Sequence, residues 1–392
     1  MRIAEVLVPA TAGGTFQVKK RIGFYPRVRA EGGGRGVVSQ AGAVLLVETA
    51  RKTGLDAAMS AALEPWRKPR AVHDPGKILL DVALALALGG DGLADVALLR
   101  AEPAVFGPVA SDPTVSRLVG QLASGGKRVL AALRTARAEV REHVWRLAGD
   151  AAPDAGGQVI VDIDGVLVLA HSEKQDAAAT WKKTFGHHPL MGFVDHGRGG
   201  SGEPVVCLLR PGNAGSNTAA DHIEATKLAL AQLPKRLRRG RQTLIRTDSG
   251  GGTHEFVAWL ARRGRWLSYS VGMTITDAVH QAVLKVPASA WTPAVEPDGD
   301  IRDGAWGDTA QNQIWLEIVQ IALDLLAWMP LLALTGQARL WEPRRLRLRL
   351  FSTAAQLVTT GRRRYLRLAR HWPWTDVITD ALDRLQALPN PG

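Results

Sequence analysis

The spacing of apolar residues first indicates helices. Between residues 41 and 150, apolar positions recur every three or four residues, as in GAVLLVETARKTGLDAAMSAAL and DPGKILLDVALALALGG, which is typical of amphipathic helices. Asp74 followed by Pro75 is a typical helix start. The sequence therefore predicts a helical region over 41–150, preceded by a Gly-rich, poorly ordered arm over 1–40.

The pattern then changes to short β-branched runs over residues 151–306. Five segments have strand character, VIVDIDGVLVLA, MGFVDHG, EPVVCLLRPG, QTLIRTDSGGG and RWLSYSVGM, and two helical segments, NTAADHIEATKLALAQL and THEFVAWLARRG, separate the later ones. This succession predicts an α/β core. Residues 307–392 return to helical spacing, although strict alternation over 345–350 also permits a strand.

One segment of the first region has the outline of a helix-turn-helix. In DGLADVALLRAEPAVFGPVASDPTVSRLVGQLA, Asp112 is predicted as the N-cap and Pro113 as the first helical residue. Ser116 and Arg117 would then lie on exposed first turns that could contact DNA. Helix pairs also form for packing alone, so both interpretations stay open.

The charge balance favours polyanionic partners. The 392 residues carry a formal net charge of +12, and nucleic acid is the leading candidate, although an Arg-rich, GC-biased genome would give the same excess. Two basic clusters stand out, KRLRRGR at 235–241 and the Arg-rich stretch at 339–370. Each is either a phosphate-tracking surface or a solvated helix face. The first cluster contributes four candidate DNA contacts: Lys235, Arg236, Arg238 and Arg239.

The composition also excludes some classes of protein. Cys207 is the single cysteine, which excludes an intramolecular disulfide and a cysteine-based zinc cluster. The apolar stretch at 314–336 is interrupted by Glu317, Gln320 and Asp324, which share one stripe of a helix. We expect a soluble cytoplasmic protein without a membrane span.

Three aspartates are the strongest candidates for chemistry. Asp162 and Asp164 lie two apart in a predicted strand and so point to the same sheet face, where adjacent carboxylates need a cation to offset desolvation and repulsion. Asp248 ends another apolar strand and precedes three glycines. Two carboxylate-bearing strand ends suit a magnesium phosphoryl-transfer site, whereas Asp248 could also simply cap the turn that follows it.

The segments VDIDGVLVLAHSEKQDAAATWKKTFGHHPLMGFVDHG, LLRPGNAGSNTAADH and LIRTDSGGGTHEFVAWL resemble bacterial DDE-type insertion-sequence transposases, specifically the group named for insertion sequence thirteen-eighty. The similarity extends upstream through GLDAAMSAALEPWRKPRAVHDPGKILLDVALALALGG and downstream through NQIWLEIVQIALDLLAW. The resemblance implies a ribonuclease-H-like mixed-sheet core between a helical N-terminal DNA-binding region and a helical C-terminal region.

The resemblance also implies site residues and partners. The family's first catalytic aspartate falls on Asp164, with Asp162 its neighbour, and the second falls on Asp248. Asp164 and Asp248 would bind Mg²⁺ or Mn²⁺, two ions being expected, for cleavage of inverted-repeat ends and transfer to target DNA. A homo-oligomer assembled on nucleoid DNA is implied. Lys174, in the HSEK stretch, is either a phosphate contact or a solvated charge.

One departure from the family concerns the third carboxylate. In the family a long β-rich block follows the segment that here ends near Trp306, and a glutamate comes after it. In this chain DGAW runs directly into GDTAQNQIW, as though that block had been lost. Glu317 is the nearest acid on the next helix and a weak candidate substitute, but an ordinary polar helix face explains it better.

Two other functions remain open from sequence. DIDGVLV also matches the nucleophile loop of haloacid-dehalogenase-like phosphatases, in which Asp162 would attack phosphorus and Asp164 would act as acid and base. No later acidic pair of the expected kind follows, because position 312 is Asn. A non-catalytic transposase remnant that occupies transposon ends is the other alternative.

Overall fold

The computed structural model describes residues 29–34, 39–170, 176–197, 202–216, 218–262, 266–273, 309–360, 363–369 and 371–391, with the isolated residues 277, 281 and 285. Its strands are β1 (Arg29–Gly34), β2 (Val159–Gly165), β3 (Val168–Leu169), β4 (Ala178–Ala179), β5 (Phe185–His187), β6 (Leu190–Val194), β7 (Glu203–Leu208), β8 (Thr243–Thr247), β9 (Ser268–Val271), β10 (Ala355–Thr360) and β11 (Arg363–Ala369).

Helices dominate the first region, as its apolar spacing predicts. They are α1 (Val44–Thr53), α2 (Leu55–Leu63), α3 (Pro75–Ala87), α4 (Val96–Arg100), α5 (Pro103–Phe106) and α6 (Asp112–Ala148). The predicted start of α3 is confirmed, because the Asp74 side chain accepts a hydrogen bond from the backbone N–H of Lys77 at 3.1 Å. At α6, Ser111 rather than Asp112 is the N-cap, and Gly126, with φ 51° and ψ −134°, kinks the helix.

The five predicted strands of the middle region form one mixed sheet in the order β7-β6-β2-β8-β9. β2 and β6 are antiparallel, as are β6 and β7, whereas β8 and β9 continue parallel to β2. The helices α7 (Ala219–Gln232) and α8 (His254–Ala261) connect β7 to β8 and β8 to β9. The predicted α/β core is therefore confirmed.

The two faces of this sheet differ in burial. Val159, Val161 and Ile163 of β2 are at most 1% exposed, and α7 packs against β2, β6 and β7. Asp162 and Asp164 alternate with them and are more exposed. The period of two therefore places the carboxylates on the open face, away from the apolar core.

The last region begins with α9 (Thr309–Ala333) and continues with α10 (Pro343–Leu346), a π-helical turn at Arg347–Phe351, and α11 (Thr375–Ala387). The strand permitted by alternation over 345–350 is wrong, because these residues are helical. The region is also not purely helical, since β10 and β11 form an antiparallel pair. β1 adds to β11 in parallel, so part of the segment expected to be a poorly ordered arm is a strand.

Helices α9 and α11 pack against the N-terminal helices. α9 contacts α1, α3 and α6, while α11 contacts α1. Gln313–Ala333 of α9 is long and apolar enough to span a membrane by composition, yet 78% of that window is buried inside the protein. Trp328 and Met329 of this helix are fully buried, which identifies α9 as a core helix of the fold.

A buried network of charges ties α6 and α9 to the edge strand β7. Arg137 donates to Asp324 at 2.7 Å, and Arg141 donates to Asp324 at 2.9 Å and to Glu203. Both guanidinium groups also donate to the carbonyl oxygen of Pro204 in β7, each at 3.0 Å. Because buried charges destabilise a fold unless they are paired, this network fixes where α9 docks.

Candidate functional site

Asp164 lies at the carboxyl end of β2, on the open face of the sheet. Its carboxylate is exposed and accepts a hydrogen bond from the backbone N–H of Gly165 at 2.7 Å. In the antiparallel pair with β6, Asp164 lies opposite Met191. The strand alternation that buries Val161 and Ile163 thus leaves this carboxylate accessible.

Asp248 follows β8, the parallel neighbour of β2. Its carboxylate accepts a hydrogen bond from the backbone N–H of Gly250 at 2.8 Å and so caps the short 3₁₀ turn Ser249–Gly251. Because Asp164 and Asp248 stand at the carboxyl ends of adjacent parallel strands, the sheet topology brings them to the same edge. The capping role and the site role of Asp248 are therefore compatible.

The two carboxylates influence each other electrostatically. Partial burial raises the pKa of Asp164 above its usual range, and the charges of Asp248 and Asp162 raise it further. The Gly165 N–H and His188 oppose this rise. In the described part of the chain, neither Asp164 nor Asp248 forms an ion pair with a Lys or Arg side chain, so their negative charge is uncompensated.

Asp162, predicted as a candidate catalytic residue beside Asp164, has a different environment. Its two carboxylate oxygens accept hydrogen bonds from the guanidinium of Arg246 on β8, which also bonds to Asp195 at 3.1 Å. Asp162 is directly opposite Arg246 in the β2 and β8 register, which explains the pair. A carboxylate held by both oxygens is a poor nucleophile, which argues against the phosphatase interpretation.

Three residues near Asp164 and Asp248 were not predicted from the sequence as part of the site. The imidazole of His188, 4% exposed, donates from Nδ1 to the Ala214 carbonyl at 3.1 Å, and its Nε2 would lie 2.7 Å from a Cβ added at Gly165. Arg210, equally buried, donates to the His188 carbonyl at 2.9 Å. The sequence His187-His188-Pro189 does not by itself predict that His188 lies beside Gly165, because the pairing of β2 with β6 brings them together.

Gly272 is the third of these residues. It follows β9, and its N–H donates to the Thr247 carbonyl at 3.0 Å. A Cβ at this position would lie 2.6 Å from the backbone nitrogen of Ser249 and 2.7 Å from the carbonyl carbon of Asp248. The absence of a side chain at Gly272 therefore lets the end of β9 pack against the backbone that carries Asp248.

Glu317, the weak candidate for the missing third carboxylate, belongs to the buried network rather than to this site. It is 1% exposed, and its carboxylate accepts hydrogen bonds from Arg134 at 2.6 Å and Arg137 at 3.3 Å. Gln320 also bonds to Arg137, and Asp324 bonds to Arg137 and Arg141. The expectation of an ordinary polar face is wrong too, because the whole stripe is buried and paired.

The predicted DNA contacts occupy two separate exposed places. Ser116 and Arg117 are exposed near the start of α6, where the Arg117 guanidinium bonds back to the Pro113 carbonyl at 3.0 Å. In the second cluster Lys235, Arg236 and Arg239 are exposed and Arg238 is half-buried. Arg236 pairs with Asp154, and Arg238 donates to the Leu233 carbonyl at 2.9 Å. Lys174 lies outside the described residues.

The Arg-rich stretch at 339–370 is partly structural. Arg347 donates to the carbonyl of Ala87, at the end of α3, at 2.8 Å. Arg349 lies 4.6 Å from the ring centre of Trp341 and 4.7 Å from that of Trp374. Arg339 donates to the Ala151 carbonyl at 3.1 Å. These arginines bond to carbonyl oxygens or lie over aromatic rings within the fold. They therefore form neither a phosphate-tracking surface nor a solvated helix face.

The described residues contain no group of three or more His, Cys, Asp or Glu side chains arranged to hold a metal ion. Asp164 and Asp248 offer a pair of hard oxygen donors at one sheet edge without a Lys or Arg partner among the described residues, and oxygen is the donor type that Mg²⁺ and Mn²⁺ prefer. The pair fits a divalent cation incompletely, because other ligands would have to come from water or substrate phosphate.

The comparisons with known proteins agree with this chemistry. The family model described as transposase DDE domain group 1 matches residues 20–308 and 305–390, which together span most of the chain. No curated protein and no solved structure matches significantly. Both Asp164 and Asp248 fall within the first matched segment. The family match covers far more than half of the sequence, and the chain therefore belongs to the DDE transposase domain family.

Proposed function

We propose that this protein is an insertion-sequence transposase that binds inverted-repeat ends, with Asp164 and Asp248 as the retained catalytic carboxylates. The observation that carries the proposal is their uncompensated charge at the ends of two adjacent parallel strands, in a chain of the DDE transposase family. The strand order and directions support a ribonuclease-H-like core. Such a protein acts on chromosomal DNA, so we assign it to the cytoplasm.

Asp164 and Asp248 would hold Mg²⁺ or Mn²⁺, with two ions expected for the family. When bound, such ions activate the attacking water or hydroxyl and stabilise the leaving oxygen in phosphoryl transfer. The N–H groups of Gly165 and Gly250 orient the two carboxylates. The Arg246 side chain neutralises Asp162 beside them, which limits the negative charge at this edge.

We further propose that strand cleavage is impaired, because the segment that carries the third carboxylate is missing. The family match supports this idea, since it falls into two segments that meet at residues 305–308, where the chain departs from the resembling group. The paired environment of Glu317 supports it as well, because a carboxylate bonded to Arg134 and Arg137 is not available to a metal. Binding of DNA ends without cleavage would fit the remnant alternative.

The experiment that tests the proposal separates metal binding, DNA binding and cleavage. The wild-type chain and the variants Asp164→Asn and Asp248→Asn are mixed with DNA that carries the ends of the flanking element. We expect the wild type to bind the ends, to melt at a higher temperature with Mg²⁺ or Mn²⁺ than with EDTA, and to nick the DNA at most weakly. The metal-dependent rise should disappear in both variants.

A matched control is Asp195→Asn, which removes a half-buried carboxylate near the same face while Asp164 and Asp248 remain. It should keep the metal-dependent rise. Rapid, Asp164-dependent cleavage by the wild type would contradict the proposed impairment. Metal responses that are equal in the wild type and in both site variants would contradict the assignment of the site.

A further inference from the structure

A second feature near the site is the turn between β4 and β5, which presents Trp181, Lys182 and Lys183. The backbone N–H of Thr180 donates to the Thr184 carbonyl at 2.7 Å, and their hydroxyl oxygens lie 2.6 Å apart. The N–H of Lys183 donates to the Thr180 carbonyl at 3.0 Å. The turn is therefore closed by its own hydrogen bonds, and its three tip residues have a fixed place.

The tip exposes an unusual amount of aromatic surface. Trp181 is 68% exposed and Phe185, just past the turn, is 41% exposed. The Lys182 ammonium lies 5.1 Å from the centre of the Trp181 ring, where a cation interacts favourably with the π face. Because a single cation covers only part of such a ring, aromatic surface remains open to a stacking partner.

The charge of this hairpin favours a polyanion as that partner. Lys182 and Lys183 are both exposed. No Asp or Glu occurs between residues 177 and 194. An exposed aromatic ring beside two lysines, without a carboxylate in the same hairpin, matches the combination that binds bases by stacking and phosphates by charge.

The position of the hairpin connects it to the carboxylate pair. β5 leads directly into β6, whose Met191 lies opposite Asp164, and His187 pairs with Val168 just after β2. Met191 comes eight positions after Lys183, so the tip lies at most about 26 Å along the strand direction from the carboxylates. At about 3.4 Å per stacked nucleotide, this reach spans at most about eight nucleotides beyond a phosphate bound at Asp164.

We propose that Trp181 stacks on an unpaired base of the DNA strand bound at the site, while Lys182 and Lys183 contact its neighbouring phosphates. The inference rests on the proposed function, because it assumes that DNA is the substrate of this face. The ligand is a single-stranded stretch at a DNA end, since a base within an intact duplex does not offer its π face to a side chain.

The test compares Trp181→Ala with Trp266→Ala in DNA binding at low salt and with EDTA, so that metal and cleavage play no part. Trp266 is a matched control, because it is exposed to a similar degree, 61%. It precedes β9 and so lies at the opposite strand ends from the carboxylates. The probes are a fluorescent duplex with a single-stranded tail, the same duplex with blunt ends, and an RNA-tailed version.

On the tailed DNA, Trp181→Ala should bind roughly 5- to 150-fold more weakly than the wild type, the range for loss of one stacked base. Trp181→Phe should keep most of the affinity, and Trp266→Ala should resemble the wild type. On blunt duplex Trp181→Ala should change little. Replacing Lys182 and Lys183 by Ala should reduce the salt dependence by about 0.7 per lysine in the logarithmic slope.

Wild-type affinity of Trp181→Ala for the tailed DNA would overturn the inference, as would an equal loss on blunt duplex. Tighter binding of the RNA tail than of the DNA tail would also overturn it, because it would assign a different nucleic acid. If the wild type binds no DNA at all, the proposed function fails as well. If it binds DNA and Trp181→Ala is normal, this inference fails alone.

Discussion

Two clusters of carboxylates in this molecule differ in whether positively charged side chains pair with them. Glu203, Glu317 and Asp324 are fully buried, and arginines of α6 pair with each of them. Asp164 and Asp248 are exposed at the sheet edge, and within the described part of the chain each accepts a hydrogen bond only from a backbone N–H group. The carboxylates that are paired with arginine thus hold the fold together, whereas the carboxylates without such a partner stay accessible. This is the arrangement that the proposed cation site requires.

The contrast extends to the pKa values. Burial alone would raise the pKa of Glu203, but Arg141, His196 and the indole N–H of Trp328 lower it far below its usual range. At Asp164 partial burial and the neighbouring carboxylates act in the same direction and raise the pKa. Ionisation is therefore favoured by the fold at Glu203 and opposed by it at Asp164.

The largest expected effect is the loss of a buried guanidinium. Arg141→Met would leave Glu203 and Asp324 short of a partner in the interior, and we expect it to lower the free energy of unfolding by about 3–5 kcal/mol. Arg246→Met removes a pair that is half exposed and should cost about 1 kcal/mol or less. Urea denaturation measures both, and similar losses for the two variants would contradict the contrast.

Gly272→Ala tests how the open cluster is positioned. The new Cβ would press on the backbone of Asp248 and Ser249, and such overpacking typically costs about 1–3 kcal/mol. We also expect the metal-dependent rise in melting temperature to shrink, although no carboxylate is changed. Gly156→Ala is the control, because no atom lies within 4 Å of its added Cβ. An unchanged metal response in Gly272→Ala would contradict this positioning role.

Glu203 contributes to the pH dependence of the buried cluster. Its folded-state pKa is lowered, so its stabilising contribution is complete above the ordinary value of 4.5 and is lost as the pH falls below it. Between about pH 5 and pH 3 the wild type should therefore lose more stability than Glu203→Gln. Glu139→Gln, an exposed position on α6, should follow the wild type. Parallel pH profiles for the wild type and Glu203→Gln would refute the prediction.

The smallest effect is expected at Asp164 and has the opposite sign. Its folded-state pKa is raised, so ionisation above its ordinary pKa destabilises the fold. Without metal at neutral pH, Asp164→Asn should therefore unfold at a slightly higher temperature, by an energy within about 1 kcal/mol. Asp162→Asn, two residues away, loses its pair with Arg246 and should not gain stability. A destabilised Asp164→Asn would contradict the idea that this charge is uncompensated.

The sequence predicted the parts of the site that depend on local pattern. The alternation in VIVDIDG buries Val161 and Ile163 and turns Asp164 to the open face, and the strand followed by glycines places Asp248 at a turn. The same alternation argument permitted a strand in the Arg-rich segment at 345–350, where the structure has a helical segment. Its alternating leucines fit a strand, but Leu346 and Leu350, four apart, are both buried on one side of a helical segment.

What the sequence by itself determined is the set of strands and helices of the core and the two aspartates at its edge, because burial periodicity and turn residues are local signals. Only the tertiary structure decided the partners of each charge. Arg246 pairs with Asp162, while Arg137 and Arg141 pair with Asp324. These pairs join residues far apart along the chain, and the choice among them follows from strand register and helix docking, which no local pattern specifies.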